Sequence, residues 1–365
     1  MSFEFLRHAT WGGVYPIAFL SAAISAFILT FLVRYYSKSI DFLDIPIQRS
    51  SHSIPVPLGG GAAICAAFTI GVHFGVFEAG IREHALYVIV FGGLIALTMG
   101  LVDDFRGGIP AIYKLVFLLV MTLACWWVDD RLILKIFPWT WANVFLTLLW
   151  IAGVCSALNA FDNMNGLSVG FTAVASLAYF VVAVQTQSEV GFVGELNRFW
   201  GLVSIALCGA CLGFLPHNFP RAKIFIGDGG SFFLGFCLAV LGVMGEWSNH
   251  SVSRATIPLL ILALPIFDLV FVVYTRHRSG VTRTWIEAVR HCARDHLSHR
   301  LVFLGLSPVQ AVLVLHAVAI FMALSAIIMR ADENPSLTYM HLLQAGMVLL
   351  ILGVLIKVGS RKGMT

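Results

Sequence analysis

Long apolar segments recur along this whole 365-residue chain, and short polar segments separate them. A helix of about 20 apolar residues crosses the hydrocarbon core of a bilayer and satisfies its own backbone hydrogen bonds. Charged residues make up only 12% of the chain, whereas soluble domains carry about a quarter. With a mean hydropathy of +0.89, the chain has more apolar surface than a water-soluble core can bury. It is therefore predicted to be an integral membrane protein.

The pattern of apolar segments predicts an all-α polytopic fold with about 11 transmembrane helices and no separate soluble domain. The predicted spans are 14–33, 58–77, 85–102, 110–128, 141–160, 167–185, 199–216, 231–247, 256–274, 308–329 and 338–357. The segment from Met1 to Val33 has no small-residue cleavage site after its apolar run, which favours a membrane anchor over a signal peptide.

The distribution of lysine and arginine predicts the orientation, because cytoplasmic loops carry the excess of these residues. Seven of the 23 fall on the face that contains the N-terminus, and the other sixteen fall on the opposite face. The N-terminus is therefore expected outside and the C-terminus in the cytoplasm. The seven are Arg7, Arg82, Arg131, Lys135, Arg198, Arg254 and Arg330.

Four polar motifs lie on the predicted cytoplasmic face. Each has a plain structural explanation when taken singly: interfacial solvation, a snorkelling lysine, a capped turn or positive-inside bias. Their concentration on one face favours a functional site. They are the pair Asp103-Asp104 followed by Lys114, the turn from Asn159 to Gly166, the glycine-flanked Asp228, and the basic loop from Arg276 to Ser307.

The chemistry of these motifs indicates a site for a metal ion and phosphate groups. Adjacent carboxylates near lipid invite a cation or a shared proton. A glycine-flanked aspartate before a helix lets backbone N–H groups approach phosphate oxygens while the carboxylate holds a metal. The arginines and histidines of the basic loop would bind an anion or acidic lipid headgroups. Because Mg²⁺ typically joins one or two carboxylates to substrate phosphates, the residues indicate metal-assisted phosphoryl transfer at the membrane.

Two other classes of protein are consistent with a polytopic chain. A transporter would gather its ionisable residues near the bilayer midplane, in repeated halves with broken helices. A lipid-scaffolding protein would not need four aligned polar motifs. In this sequence the ionisable residues gather at one edge, and the exception is Asp268, beside Pro265 in the ninth span. Asp268 is expected either to support the site or to pair locally, about two turns from Arg276.

These motifs, in this order, resemble the polyprenyl-phosphate N-acetylhexosamine-1-phosphate transferases. That family includes the enzymes that start O-antigen, teichoic acid and enterobacterial common antigen, and the phospho-MurNAc-pentapeptide translocase. The resemblance runs from about Asp44 to Leu301, and the segment Phe225 to Ser231 is similar to the family pattern F-M-G-D-x-G-S. Three positions depart from the family pattern. Gly107 and Asn165 replace aspartates, and Ser298 replaces a histidine of H-x-H-H-R-L.

The resemblance implies transfer of an N-acetylamino-sugar 1-phosphate from a UDP-sugar to undecaprenyl phosphate, with release of UMP. It implies catalytic roles for Asp103, Asp104, Asp162 and Lys114, and Mg²⁺ (or Mn²⁺) held by Asp228 and Asp162. The substrate-binding residues that it implies are Asn159, Asn165, Asn218, Phe225, His296, His299, Arg300 and His52.

The same resemblance implies a single catalytic membrane domain over residues 1–365. Its catalytic loops would lie at about 34–57, 102–114, 159–167, 217–231 and 275–307. The expected location is the bacterial cytoplasmic (inner) membrane, with the site facing the cytoplasm, membrane lipid around the spans, a homodimeric assembly and no nucleic-acid partner. A role in a surface polysaccharide, such as lipopolysaccharide O-antigen or cell wall, is expected, and GlcNAc, FucNAc and QuiNAc all remain open as the sugar.

Overall fold

The computed structural model describes residues 11–46, 54–80, 83–185, 192–248, 251–291, 293–331 and 335–362. Within these ranges, ten helices are long and apolar enough to cross a membrane, and there are eleven spans if a bent pair of helices is counted as one. The all-α polytopic prediction is confirmed. The helices are α1 (Trp11–Ser39), α2 (Gly60–Ala79), α3 (Ala85–Arg106), α4 (Ala111–Val128), α5 (Thr140–Phe161), α6 (Leu167–Gln185), α7 (Phe192–Asn218), α8 (Gly227–Met244), α9 (Ser251–Ile261), α10 (Ala263–Arg278), α11 (Trp285–Arg290), α12 (Leu297–Phe303), α13 (Pro308–Ala331) and α14 (Pro335–Lys362).

The ninth span differs from the single helix that was predicted over residues 256–274. It consists of α9 and α10, which meet at Leu262 with a bend of 71°. Pro265 explains the break, because a proline has no N–H for the carbonyl four residues earlier and its ring clashes with that carbonyl. In this chain the carbonyl belongs to Ile261, the last residue of α9.

Helix α8 lies in the centre of the bundle and is almost completely buried. Its first turn packs against α2 and α3 through glycine backbones. A Cβ atom added at Gly61 would collide with the backbone of Gly230, and one added at Gly100 would collide with the backbone of Asp228. Only glycine allows three helices to approach this closely. The backbone around Asp228 is therefore fixed by two neighbouring helices.

A short hairpin joins α1 to α2 and pairs with the segment before α8. Its strands, β1 (Leu43–Asp44) and β2 (Val56–Pro57), are antiparallel. The Phe225 N–H donates to the Pro57 carbonyl at 2.8 Å, and the Phe225 carbonyl accepts from the Gly60 N–H at 2.9 Å. Because consecutive spans alternate in direction, the ends of α3, α5, α7 and α10 meet this hairpin at one end of the bundle.

Candidate active site

A cavity of about 520 Å³ opens at this end of the bundle. Its walls bring together eight of the residues predicted to form the site. Five carboxylates and a single lysine line it, so it repels an anionic ligand that arrives without a cation. The predicted residues on the wall are Asp103, Asp104, Lys114, Asp162, Asn165, Asn218, Phe225 and Asp228, and Asp44 supplies the fifth carboxylate.

Lys114 connects two of the carboxylates. Its ammonium contacts the Asp103 carboxylate and lies 3.0 Å from Asp228 Oδ2. The ammonium also lies 5.8 Å from the centre of the Phe232 ring. The expectation that Lys114 returns across the α3–α4 hairpin to face the acidic pair is confirmed. Its charge offsets the repulsion between carboxylates that come from two different helices.

Asn159 holds the Asp228 carboxylate from the side that faces away from the cavity. Its Nδ2 donates to Asp228 Oδ1 at 2.9 Å and lies 2.9 Å from Ser231 Oγ. Asn159 is absent from the cavity wall in the described residues, although it was predicted to bind substrate. The structure thus places it next to the aspartate. The Asp228 side chain, which is 36% exposed, reaches the cavity with one oxygen held by an amide and the other by an ammonium.

Asp104 caps the beginning of α8. Its carboxylate accepts from the N–H groups of Asp228 at 2.9 Å and Gly229 at 3.2 Å. A carboxylate at a helix N-terminus satisfies unpaired N–H groups and interacts favourably with the helix dipole. Gly227 makes the approach possible, because it has a φ of 72° and a Cβ at this position would collide with Asp104. Asp104 therefore fixes the position of Asp228 as well as lining the cavity.

Asp162 follows α5, just beyond the end of the span, and lies on the cavity wall. Burial raises the pKa of Asp162, a hydrogen bond from Ser168 lowers it and the negative charge of Asp228 raises it, and together these effects bring the pKa to about 7. The Ser168 hydroxyl donates to Asp162 Oδ1 at 2.5 Å. The Asp162 carboxyl is therefore harder to ionise than an exposed aspartate, and a cation beside it would favour its charged form.

Two asparagines hold the cavity wall together. Asn218 Oδ1 accepts from the Gly166 N–H at 2.6 Å, and its Nδ2 donates to the Ile224 carbonyl at 2.9 Å. Asn165 Nδ2 donates to the Pro220 carbonyl at 3.3 Å. The Asn218 amide thus connects the turn before α6 to the segment before α8. Its predicted contact with substrate remains a prediction.

The basic loop lies beside the cavity. His296, His299 and Arg300 are absent from its described walls. His296 Nδ1 lies 2.8 Å from Asp268 Oδ2, and the Leu297 N–H donates to Asp268 Oδ1 at 2.8 Å. Asp268, for which the sequence left open support of the site or local pairing, therefore binds His296, one of the predicted substrate-binding residues. His52 lies outside the described residues.

Charge compensation inside the loop sets the protonation of its ionisable groups. Arg276 binds Asp295 through two hydrogen bonds of 2.7 and 2.6 Å. Burial opposes ionisation of Asp295, but the Arg276 guanidinium outweighs it and lowers the pKa of that carboxyl. Burial and the neighbouring His296 and Arg294 lower the pKa of His299 to about 4, so its imidazole is neutral at pH 7.

One hydrogen bond connects the basic loop to the cavity wall. The Ser298 hydroxyl donates to Asn163 Oδ1, and Asn163 lines the cavity. Ser298 is the position at which this chain departs from the histidine of the family pattern. Asn163 was not selected from the sequence, where the only signal was its place between Asp162 and Asn165.

Comparison with known proteins agrees with this geometry. Residues 86–246 match the family described as glycosyl transferase family 4. The chain is 30% identical over 325 residues to a Bacillus subtilis protein named "Probable undecaprenyl-phosphate N-acetylglucosaminyl 1-phosphate transferase", which covers 86% of this chain and 85% of the relative. It is 27% identical to a Mycobacterium tuberculosis decaprenyl-phosphate N-acetylglucosaminephosphotransferase, over 91% of this chain and 87% of the relative.

A Salmonella typhi undecaprenyl-phosphate alpha-N-acetylglucosaminyl 1-phosphate transferase is 28% identical, over 83% of this chain and 82% of the relative. A polytopic bundle with an acidic cavity and this set of relatives defines a membrane-embedded phosphoglycosyl transferase. The chain belongs to glycosyl transferase family 4.

Proposed function

We propose that this enzyme transfers N-acetylglucosamine 1-phosphate from UDP-N-acetylglucosamine to undecaprenyl phosphate and releases UMP. The sugar and the polyprenyl acceptor follow the printed names of the Bacillus and Salmonella relatives, and the UDP-linked donor follows the family resemblance. This reaction would begin the membrane stage of a cell-surface polysaccharide, such as an O-antigen or a cell-wall polymer. The relatives named above are transferases, and none of them supports the transporter alternative.

The observation that carries this proposal is the convergence of Asp103, Asp104, Asp162 and Asp228 with Lys114 in one cavity at the ends of the spans. These residues come from three segments that are far apart in the sequence: the α3–α4 hairpin, the turn after α5 and the start of α8. An acidic cavity next to a basic loop suits a substrate that brings both a cation and phosphate groups. The position at the helix ends lets a water-soluble donor and a lipid acceptor reach the same atoms.

The donor atoms of the cavity fit Mg²⁺, with Mn²⁺ as an alternative, because both ions prefer oxygen ligands. No group of three or more His, Cys, Asp or Glu side chains in the described part of the chain is placed to hold an ion alone. A magnesium ion that is shared with substrate phosphates needs only one or two carboxylates. Asp228 and Asp162 would supply them, and the bound ion would neutralise charge on the donor diphosphate and on the leaving UMP.

The remaining residues would position the reactants. Asn159 and Asp104 fix Asp228 from two directions. Asp103, with Lys114 balancing its charge, would orient the acceptor phosphate or remove its proton. The neutral imidazole of His299, together with His296 and Arg300, would bind the nucleotide-sugar diphosphate from the side of the basic loop. Phe225 offers an aromatic face on the cavity wall for the uracil ring.

The cavity is proposed to face the cytoplasm of a bacterium, in the cytoplasmic membrane. The topology predicted from the sequence assigns sixteen of the 23 lysines and arginines to the cavity side, which supports a cytoplasmic face under the positive-inside rule. UDP-sugars are cytoplasmic metabolites, so the donor and the cavity would be in the same compartment. The proposed homodimer is tested separately, by the mass of the purified protein in detergent.

The decisive experiment measures UMP release by the purified protein in proteoliposomes that contain undecaprenyl phosphate, UDP-N-acetylglucosamine and Mg²⁺. Asp228→Asn is expected to lower the rate about a thousandfold, because one charged contact to the transition state is worth several kcal/mol. The matched control is Asp130→Asn, an exposed aspartate at the opposite end of the bundle. A folded Asp228→Asn variant with the rate of the control would remove the proposed site.

The sugar is tested with a panel of UDP-linked N-acetylamino sugars at equal concentration. UDP-N-acetylglucosamine is expected to give the highest kcat/KM. A higher value for a 6-deoxy sugar such as the FucNAc or QuiNAc donor would change the substrate and leave the reaction class intact. The absence of UMP release with every donor, in the presence of either Mg²⁺ or Mn²⁺, would contradict the reaction itself.

A further inference from the structure

Helix α11 presents an apolar face that nothing in the described structure covers. Trp285, Ile286 and Val289 lie on one side of the helix and are 53%, 66% and 54% exposed. Val281, just before the helix, extends the face and is 58% exposed. Ala288, on the other side of the helix, is fully buried. The helix is thus attached by one side and leaves four large apolar side chains facing outward.

Two contacts fix the depth of this face relative to the membrane. The Trp285 ring packs against the His277 ring with the ring centroids 4.1 Å apart and the planes tilted by 36°. The Ala288 carbonyl accepts from Arg276 Nη1 at 2.9 Å. Arg276 and His277 both belong to the last turn of α10, which is the cavity-side end of the ninth span. Helix α11 therefore lies beside the end of a membrane span, at the depth where tryptophan is enriched in membrane proteins.

Cationic side chains surround the apolar face. Arg278 and Arg283 are exposed on the segment that leads into α11, and Arg290 and Arg294 are exposed at its other end. The one acidic side chain of the helix, Glu287, points away from the apolar face, and its carboxylate accepts from the Arg283 N–H at 2.8 Å. An apolar side with arginines along its border is the pattern of a helix that lies in a membrane surface.

We propose that α11 is an interfacial anchor, with its apolar face inserted at the headgroup–acyl boundary of the cavity-side leaflet and its arginines bound to anionic phospholipid headgroups. The positive charge of the arginines around the apolar face favours an anionic lipid over a neutral one. The position at the end of a span selects the membrane over a protein partner, because the bilayer already surrounds α10.

This anchor restrains the basic loop. Helix α12 follows α11 within the same loop and carries Ser298, which donates to Asn163 on the cavity wall. A membrane-bound α11 and a cavity-bound α12 hold the loop at both ends. The inference concerns lipid binding alone, so it holds whichever sugar or acceptor the cavity takes.

The test places a fluorescent bimane label on each side of α11 in the full-length protein. Six of the cysteines are buried, and Cys292→Ser removes the seventh, which lies outside the described residues. In this background, Val289→Cys labels the apolar face and Glu287→Cys is the matched control on the polar side. Both positions are exposed, so neither change removes a buried side chain, and Glu287→Cys loses one hydrogen bond, that from the Arg283 N–H. The protein is placed in nanodiscs of phosphatidylglycerol that is brominated near the start of its acyl chains.

Bromine is expected to quench the label at residue 289 about threefold more strongly than the label at residue 287, because only the apolar side enters the lipid. In brominated phosphatidylcholine this ratio is expected to fall by about half, because the arginines lose their anionic partners. An Arg283→Gln/Arg290→Gln double variant is expected to show the same fall in phosphatidylglycerol. Trp285→Phe is expected to remove a lipid-quenched part of the tryptophan emission, which tests the face without a label.

Three results would overturn the proposal. Equal quenching of both labels would show that the face does not enter the bilayer. A ratio that is independent of headgroup charge would show that the arginines do not bind anionic lipid. Disulfide-linked dimers of Val289→Cys in detergent, with no quenching in nanodiscs, would show that a second copy of the chain covers the face.

Discussion

Lys114 Nζ lies 3.0 Å from Asp228 Oδ2 while it also contacts the Asp103 carboxylate, so one ammonium joins α3, α4 and α8. The two aspartates are far apart in the sequence and would repel each other without the lysine. The cation that the cavity needs before it can accept phosphates is therefore supplied in part by the protein. A bound metal ion and Lys114 would share the same carboxylates.

Removal of this ammonium is expected to make stability depend on divalent cations. Lys114→Gln leaves the buried Asp103 and the partly exposed Asp228 without this charged partner, which is expected to cost about 3 kcal/mol and lower Tm by several degrees in EDTA. Added Mg²⁺ is expected to recover more of the lost Tm in this variant than it adds to the wild type. Thermal unfolding in detergent measures both values.

The control for this experiment is Lys135→Gln, which removes an exposed lysine at the opposite end of the bundle. Its Tm is expected to match that of the wild type with and without Mg²⁺. Equal Tm values for Lys114→Gln and Lys135→Gln in EDTA would contradict the role assigned to the ammonium.

A methyl group added at Gly100 is expected to abolish transfer without any change to a polar residue. Its Cβ would collide with the backbone of Asp228, so α8 must move away from α3 and carry the aspartate with it. The matched substitution is Gly153→Ala in α5, where a Cβ meets no atom within 4 Å. That variant is expected to gain up to about 1 kcal/mol from helix propensity and to keep its rate.

UMP release by the two alanine variants, measured at equal protein, gives the comparison. Comparable rates for Gly100→Ala and Gly153→Ala would show that the close approach of α3 and α8 is not needed to place Asp228.

Asp268 is expected to act as a positioning residue for His296, since its carboxylate holds both the imidazole and the backbone N–H that follows it. Asp268→Asn is expected to lower the rate of transfer about tenfold, mainly through KM for the UDP-sugar, because the imidazole loses its fixed orientation. Asp268→Asn and His296→Gln combined are expected to cost little more than the larger single effect. Additive effects on kcat/KM would indicate independent roles.

The lowered pKa of His299 predicts a loss of stability on acidification. An unfolded histidine binds its proton near pH 6.5, whereas the folded one binds it near pH 4. Between these values the unfolded state binds more protons, so the free energy of unfolding falls as the pH falls. Because the imidazole is partly exposed, the loss is expected to be about 1 to 2 kcal/mol.

His299→Gln is expected to reduce the drop in Tm between pH 6.5 and pH 4, and His73→Gln, which changes an exposed histidine, is expected to leave it unchanged. An identical drop in Tm for His299→Gln and the wild type would show that this imidazole does not carry the pH dependence.

Most span boundaries could be predicted from the sequence to within about five residues, because lipid requires an uninterrupted apolar helix of nearly fixed length. The exceptions are α1, which continues to Ser39 beyond the predicted 33, and α7, which begins at Phe192 before the predicted 199. The bend at Leu262 could not be predicted, although Pro265 was visible. A proline in the middle of the predicted span 256–274 indicates a kink but not its angle, and the direction of α10 depends on the helices that it packs against.

The membership of the cavity could also be predicted in large part, since hydropathy places Asp103, Lys114, Asp162 and Asp228 on one side of the membrane. The hydrogen-bond partner of each side-chain atom could not be predicted from the sequence. Asn218 and Asp104 bind backbone groups of segments that are distant in sequence, and such contacts depend on helix packing. The contact between Asp268 and His296 depends on packing in the same way and could not be predicted either.

The hydrogen bonds from Asp104 to the amides of Asp228 and Gly229 cross 124 and 125 positions of sequence. A growing chain therefore inserts the acidic pair of α3 well before the amides that will bind Asp104 have been synthesised. Lys114 follows almost at once in α4 and can accompany the pair into the bilayer as a counterion. The order of synthesis therefore allows Lys114 to neutralise the acidic pair during membrane insertion, before any substrate is bound.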